Sequence, residues 1–319
     1  MKKLDLKKRI RHIVVATNLS DGARRAHAHA ASLAKSFDAS VTLLHVDELA
    51  SGGMAGIDTS EYRKSLSVDR DARIREALAD FERHGVDAAL KVVAGLPKTA
   101  IDKWVRANGG DLVVMTKRNR GHIKELVLGS TTQRVLRLVS SPILVVHEDD
   151  KAGDLETLPN YKHIMAATDL SDTADRGIRA SLSFADVTNS EVTLVHVLRM
   201  PQMVPLGASG AAASGGMPHQ NLQVYRSTTE AQLSKMLREL GDERAKPLIL
   251  IDANAGEAIS GAAESEDVDL ITIPTLGRTG LKQILLGSTA ERVARIASKP
   301  VLVMPRPFLE LFATIDPDD

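Results

Sequence analysis

The chain has 319 residues, 43% of them hydrophobic and 26% charged, a globular profile with room for two domains of about 150 residues. Its 41 basic and 41 acidic side chains cancel, which argues against a nucleic-acid partner, since such proteins carry a basic excess. There is no cysteine, which excludes a disulfide framework, a thiolate zinc site and a cysteine nucleophile, and suits a reducing, cytoplasmic setting.

After a basic start, Met1 to Arg11, the apolar run Ile13 to Ala16 opens the first predicted strand, residues 13–17. That run is too short for a signal peptide or a membrane helix. No other run approaches ~18 apolar residues, so no membrane partner is expected. Ser20 is placed to cap a first helix, whose Ala23, Ala26, Ala30, Leu33 and Phe37 form one apolar stripe. His27 and His29 lie two apart on it, point to different faces, and are expected on the solvated surface. Further strands are predicted at 40–46, 88–94, 111–116 and 143–147. Their near-continuous apolar character suits parallel strands buried on both faces. Between them, Gly52-Gly53 marks a short loop and Ser60 to His84 a helix, and Pro97 suits the first turn of another helix, ahead of Ile101 and Val105. His45 closes strand 2 and is read as structural, because no pair of histidines has the spacing of a metal site. Lys117, Arg118 and Arg120 form a basic cluster after strand 4, read as a solvated loop, with anion binding as the alternative. Pro142 opens strand 5, which marks that strand as an edge in need of a partner.

At residue 163 the pattern begins again. His12-Ile13-Val14-Val15-Ala16-Thr17-Asn18-Leu19-Ser20-Asp21 returns 151 residues later as His163-Ile164-Met165-Ala166-Ala167-Thr168-Asp169-Leu170-Ser171-Asp172. Val41 to Val46 returns at the same offset as Val192 to Val197, so His196 repeats His45. Leu126 to Thr131 returns as Ile284 to Thr289, and Ser141 to Val146 as Lys299 to Met304, both now offset by 158. A period this long means that each copy is a whole domain. The predicted domains are residues 1–150 and 158–319, joined by the charged, proline-terminated linker Glu148 to Pro159. The extra length falls in Pro201 to His219, a Gly/Ala/Ser-rich insert that is either a lid or a tolerated surface loop. A helix follows over Leu222 to Leu240. The apolar tail Phe308 to Ile315 is read as docking on the body or on a second subunit in a homodimer, or else as fraying. The alternation of strand and helix predicts an α/β fold of two doubly wound, open, parallel five-stranded sheets. Each has strand order 3-2-1-4-5, and a pseudo-two-fold pairs them within the chain through their fifth strands.

In such sheets a small-molecule ligand binds beyond the carboxyl ends of the strands, at the switch point. The turn holding Asn18 or Asp169 and the Gly-Ser-Thr element before a helix, read as starting near Gln133 or Glu291, converge there. A helix start offers backbone N–H groups to phosphate. The second copy reads Pro274-Thr275-Leu276-Gly277, nine residues, then Gly287-Ser288-Thr289. The first reads Thr116-Lys117-Arg118-Asn119, nine residues, then Gly129-Ser130-Thr131. Over essentially its whole length the chain resembles the universal stress protein family in its tandem form. That family's nucleotide motif is Gly-x2-Gly-x9-Gly-Ser/Thr.

The resemblance implies an adenine nucleotide α-hydrolase-like, Rossmann-like fold that binds ATP with Mg2+ in the second domain. Asp169 would face the adenine and ribose, Val197 would offer its backbone to the base, and Gly277, Gly287, Ser288 and Thr289 would cradle phosphates. The degenerate first copy would use Asn18, Val46, Asn119, Gly129, Ser130 and Thr131 as a second, weaker set. Pro274 departs from the motif because proline fixes φ and removes a donor. Arg278 and Lys282 are read like the basic cluster of the first copy. The expected function is a cytosolic stress-response protein that binds ligand and is not an efficient enzyme. The alternatives are a scaffold for a non-nucleotide ligand or protein, and a slow ATPase. No P-loop or nucleophile elbow is present.

Overall fold

Apolar β-branched runs form strands at the predicted places. In the first half these are β1 (His12–Thr17), β2 (Ser40–Asp47), β3 (Ala88–Ala94), β4 (Leu112–Lys117) and β5 (Ile143–His147). In the second they are β6 (His163–Ala167), β7 (Glu191–Arg199), β8 (Ala245–Asp252), β9 (Leu270–Pro274) and β10 (Val301–Met304). The helices are α1 (Arg24–Phe37), α2 (Ser60–Arg83), α3 (Pro97–Asn108), α4 (Ser130–Leu138), α5 (Ala174–Thr188), α6 (His219–Leu240), α7 (Ala255–Ser265), α8 (Ser288–Ile296) and α9 (Arg306–Leu309). The structure is a computed structural model that describes residues 4–48, 60–117, 128–149, 156–171, 174–199, 219–242, 244–275 and 286–313, with backbone alone for 60–69 and 219–222. The insert at 201–218, Gly52-Gly53 and the tail beyond residue 313 lie outside the described residues.

One sheet replaces the two that were predicted. All ten strands join in the order β3-β2-β1-β4-β5-β10-β9-β6-β7-β8. Within each half the order is 3-2-1-4-5 and the pairing is parallel. The halves meet where β5 and β10 run antiparallel, with Leu144 opposite Leu302. An edge strand exposes a row of unpaired N–H and C=O groups. Here each fifth strand supplies the missing partner of the other, so two sheets become one.

Alternate strand residues face opposite layers. Ile13 and Val15 point to the face covered by α1, α2, α5 and α6, and Val14 to the face covered by α3, α4, α7 and α8. The first core runs without a break across both halves. Phe37 of α1 meets Phe184 of α5 with ring centroids 5.3 Å apart. The Ser32 hydroxyl donates to the Pro159 carbonyl at 2.5 Å and binds the linker to α1.

This packing overturns the surface reading of the two histidines. His27 and His29 are both 1% exposed. His27 Nε2 lies 3.1 Å from the Thr17 hydroxyl, and His29 Nδ1 lies 2.5 Å from the Tyr161 hydroxyl. Residues two apart do diverge on a helix, but α1 is covered on more than one side: by the sheet, by α2, and by the second half. The described part of the tail docks on the body, with Phe308, Leu309 and Phe312 all buried. No helix of the described residues is long and apolar enough to cross a membrane.

Candidate functional site

The turn after the first strand of each half is built by its own side chains. In the second half the Thr168 hydroxyl accepts from Leu170 N–H at 3.3 Å, and Asp169 Oδ1 accepts from Ser171 N–H at 3.1 Å. In the first half Thr17 serves Leu19 N–H at 3.0 Å, and Asn18 Oδ1 serves Ser20 N–H at 3.1 Å. Both leucines hold positive φ, 59° at Leu19 and 56° at Leu170. The two side-chain bonds over-determine a backbone shape that leucine otherwise avoids. The strand-end histidines complete the turns. His196 Nδ1 donates to the Thr168 carbonyl at 2.9 Å, and His45 Nδ1 to the Thr17 carbonyl at 3.1 Å. This is the structural role read from sequence.

The Gly-Ser-Thr elements start their helices several residues earlier than predicted. Gly287 and Gly129 are the N-caps of α8 and α4, with Ser288 and Ser130 as first helical residues. The first intrahelical bond of α8 runs from Glu291 N–H to the Gly287 carbonyl at 2.9 Å. The N–H groups of Ser288, Thr289 and Ala290 therefore have no acceptor within the helix. Gly287 differs from the predicted phosphate cradle, because its N–H is committed to the Thr275 carbonyl at 2.8 Å. That approach also explains the glycine, since a methyl group there would sit 2.8 Å from the Thr275 oxygen. Gly287→Ala is expected to cost about 1–2 kcal/mol, because the obstacle is backbone. Urea unfolding checks this, and an unchanged midpoint would contradict it.

Between these elements lies a cleft of about 620 Å³. Asp169, Val197, Gly287, Ser288 and Thr289 all line it. Gly277 and Asn119 lie outside the described residues. Pro274 also lines the cleft and rests against α5, where a methyl on Gly177 would come within 2.6 Å of its ring. Sequence reading missed four further wall residues, Arg176, Arg199, Arg306 and Glu310. Arg199, the last residue of β7, donates to the Thr289 hydroxyl at 3.0 Å. Glu310 accepts from both Arg176 and Arg306, the latter at 3.1 Å. Aligning the two halves residue by residue would have singled out Arg199 and Arg306.

In the first half Asn18 follows β1, Val46 lies near the end of β2, and Gly129, Ser130 and Thr131 open α4. Lys117 is neither solvated nor an anion site. It is the last residue of β4, 2% exposed, and its Nζ donates to the carbonyls of Ala294 (3.1 Å), Arg295 (3.3 Å) and Ala297 (2.5 Å). Those oxygens close the C-terminus of α8 in the other half. Burial pushes the Lys117 pKa down to about 8. Arg118, Arg120, Arg278 and Lys282 lie outside the described residues.

A model of the universal stress protein family matches residues 9–147 and again residues 160–305. A universal stress protein of Methanocaldococcus jannaschii is 32% identical over 158 residues, covering 46% of this chain and 96% of that protein. One from Mycolicibacterium smegmatis is 26% identical over 313 residues, 89% of this chain and 92% of its own. Among solved structures, a universal stress protein from Archaeoglobus fulgidus superposes with a TM-score of 0.63 at 21% identity, over 92% of this chain and 98% of that one. A functionally unknown protein from Pseudomonas aeruginosa gives 0.61 at 19% identity, over 97% and 98%.

Proposed function

The chain belongs to the universal stress protein family, and from that premise we propose that it is a cytoplasmic stress-response protein that binds ATP with Mg2+ in its C-terminal half and does not turn it over efficiently. One observation carries the reading: the five described residues of the proposed C-terminal set share one cleft. Its volume falls in the range of small-ligand sites, roughly 300–1,000 Å³. The N–H groups of Ser288 and Thr289, which have no acceptor within α8, and the hydroxyls of the same two residues stand at the positive end of the helix, which favours phosphate. Asp169 and Val197 line the same cleft, and a carboxylate with a neighbouring strand backbone suits the ribose and the base. Nothing in the reading requires a homodimer, because β5 already has its partner in β10.

Pro274 favours a second reading, a cleft given over to a non-nucleotide anion. Its ring occupies space that the family motif leaves to glycine, and it offers no N–H.

Thermal unfolding with and without Mg-ATP tests the proposal. Ligand at 100 times its Kd stabilises a fold by about 2.7 kcal/mol. The full chain is expected to melt at higher temperature with ATP, and Asp169→Ala to lose that shift. Without ligand, the variant is expected to lose only about 1 kcal/mol, the worth of the acceptor given to Ser171 N–H. No shift at millimolar ATP would remove the nucleotide from the account.

A further inference from the structure

The two halves share one backbone plan, so each wall position of the C-terminal cleft has a counterpart in the first half. At the offset of 151, Arg176 corresponds to Arg25, Asp169 to Asn18, and Arg199 to Glu48. At the offset of 158, Arg306 corresponds to Glu148. Two guanidinium groups of the C-terminal cleft thus correspond in sequence to two carboxylates in the first half. The second half keeps its charge at the cleft. Arg199 donates to Thr289 at the start of α8, and the groove that Ser288 and Thr289 also line carries Arg292, paired with Glu257, together with Arg295 and Glu291. In the same cleft one carboxylate, Glu310, serves two arginines, Arg176 and Arg306.

In the first half Glu48 is exposed just past the end of β2. Glu148 folds back over the turn that leads into α1. A methyl on Gly22 would come within 2.8 Å of its Cδ. A carboxylate at that place repels phosphate where an arginine attracts it.

Resting on the nucleotide reading above, we propose that Arg199 is the residue that selects polyphosphate anions for the C-terminal cleft, and that Glu48 and Glu148 close the N-terminal half to them. Arg199 is exposed and makes one described hydrogen bond to a neutral hydroxyl, so its guanidinium is available to turn from Thr289 to a phosphate. It supplies a charge-assisted donor at a site where proline has replaced the first motif glycine.

Titration calorimetry on the full chain tests this, with ATP, adenosine and inorganic tripolyphosphate as probes. The wild type is expected to bind one ATP per chain. Arg199→Gln is expected to weaken ATP about tenfold and Arg199→Glu more, with adenosine affinity and melting temperature unchanged. The salt dependence of ATP binding should flatten in both variants. ATP binding that is equal in wild type and Arg199→Glu overturns the selector and leaves the nucleotide reading standing. Two ATP molecules per wild-type chain overturn the exclusion from the first half. Tripolyphosphate binding that is lost in Arg199→Glu, in a chain that ignores ATP and adenosine, supports the selector and removes the nucleotide. A wild type that binds none of the three overturns both.

Discussion

Replacing Lys117 by methionine is expected to destabilise the chain by about 2–4 kcal/mol, the cost of leaving buried carbonyls without a donor. The Lys117 ammonium closes the end of α8, where three carbonyls converge and the helix dipole is negative. It arrives from β4, in the other half of the chain. The residue in the equivalent place, Thr275, is buried as well but does not repeat the device. The matching end of α4 is served by Arg106 of α3, which donates to the Leu138 carbonyl at 2.5 Å. Lys117 is therefore a one-sided lock between the halves. Methionine preserves its length and apolar stem, so a loss of stability reports on the hydrogen bonds that Nζ donates. The pH dependence gives a second readout. Burial lowers the Lys117 pKa from 10.5 to about 8. Below pH 8 both states hold the proton, and the fold bears the cost of burying the charge. Between pH 8 and 10.5 the unfolded chain binds more protons, so this contribution to stability rises with pH. The variant lacks that rise, and the gap between the two proteins should widen across the window. Urea midpoints measured at pH 7.5 and 9.5 decide it. Equal midpoints at both would mean that water or the helix end itself already satisfies those carbonyls.

The strands were legible because near-continuous Val, Ile and Leu runs leave few readings. The duplication was legible because whole segments recur, such as His12 to Asp21. The single sheet was only half legible. Pro142 and Pro300 mark edges, but an edge does not announce whether its partner will fuse the two sheets. Lys117 was misread because its acceptors are carbonyls in the other half, and a carbonyl has no sequence identity. A lysine after an apolar strand looks like the first residue of a loop. It is in fact one more step of the pleat, on the same side as Met115. His27 and His29 failed for a related reason, since helical periodicity tells which residues share a face but not how many faces are covered. The candidate site was legible in its motif residues and silent in its arginines. Arg199 and Arg306 belong to no local pattern, and their meaning comes from what stands opposite them in the first half.

Acid is expected to weaken the fold through His27. The ring is buried beneath α2, its centroid 5.9 Å from that of Phe81, and Nδ1 has no hydrogen-bond partner among the described residues. Burial first, and the Arg24 guanidinium second, lower its pKa from 6.5 to about 4. Arg24 is itself held in place by Glu76 at 2.6 Å and by the fully buried Asp80 at 2.8 Å, so it cannot easily move aside. Above pH 6.5 the ring is neutral in both states and costs nothing. As pH falls towards 4 the unfolded chain takes up a proton that the fold refuses, and stability drops by roughly 3 kcal/mol. The second half shows what the site accepts instead. The equivalent residue is Ile178, 2% exposed and part of the same continuous core. His27→Ile is therefore expected to fold, to give up the contact with Thr17, and to shed this acid-dependent loss. Carboxylates titrate in the same range in both proteins, so the difference between them isolates the histidine. Urea unfolding at pH 7.5 and pH 4.5 should show the wild type losing more than the variant by about 2 kcal/mol. Parallel losses would mean that the ring finds a solvated exit when it is charged, and that α1 is less tightly covered than its packing against Phe81 and Tyr161 indicates.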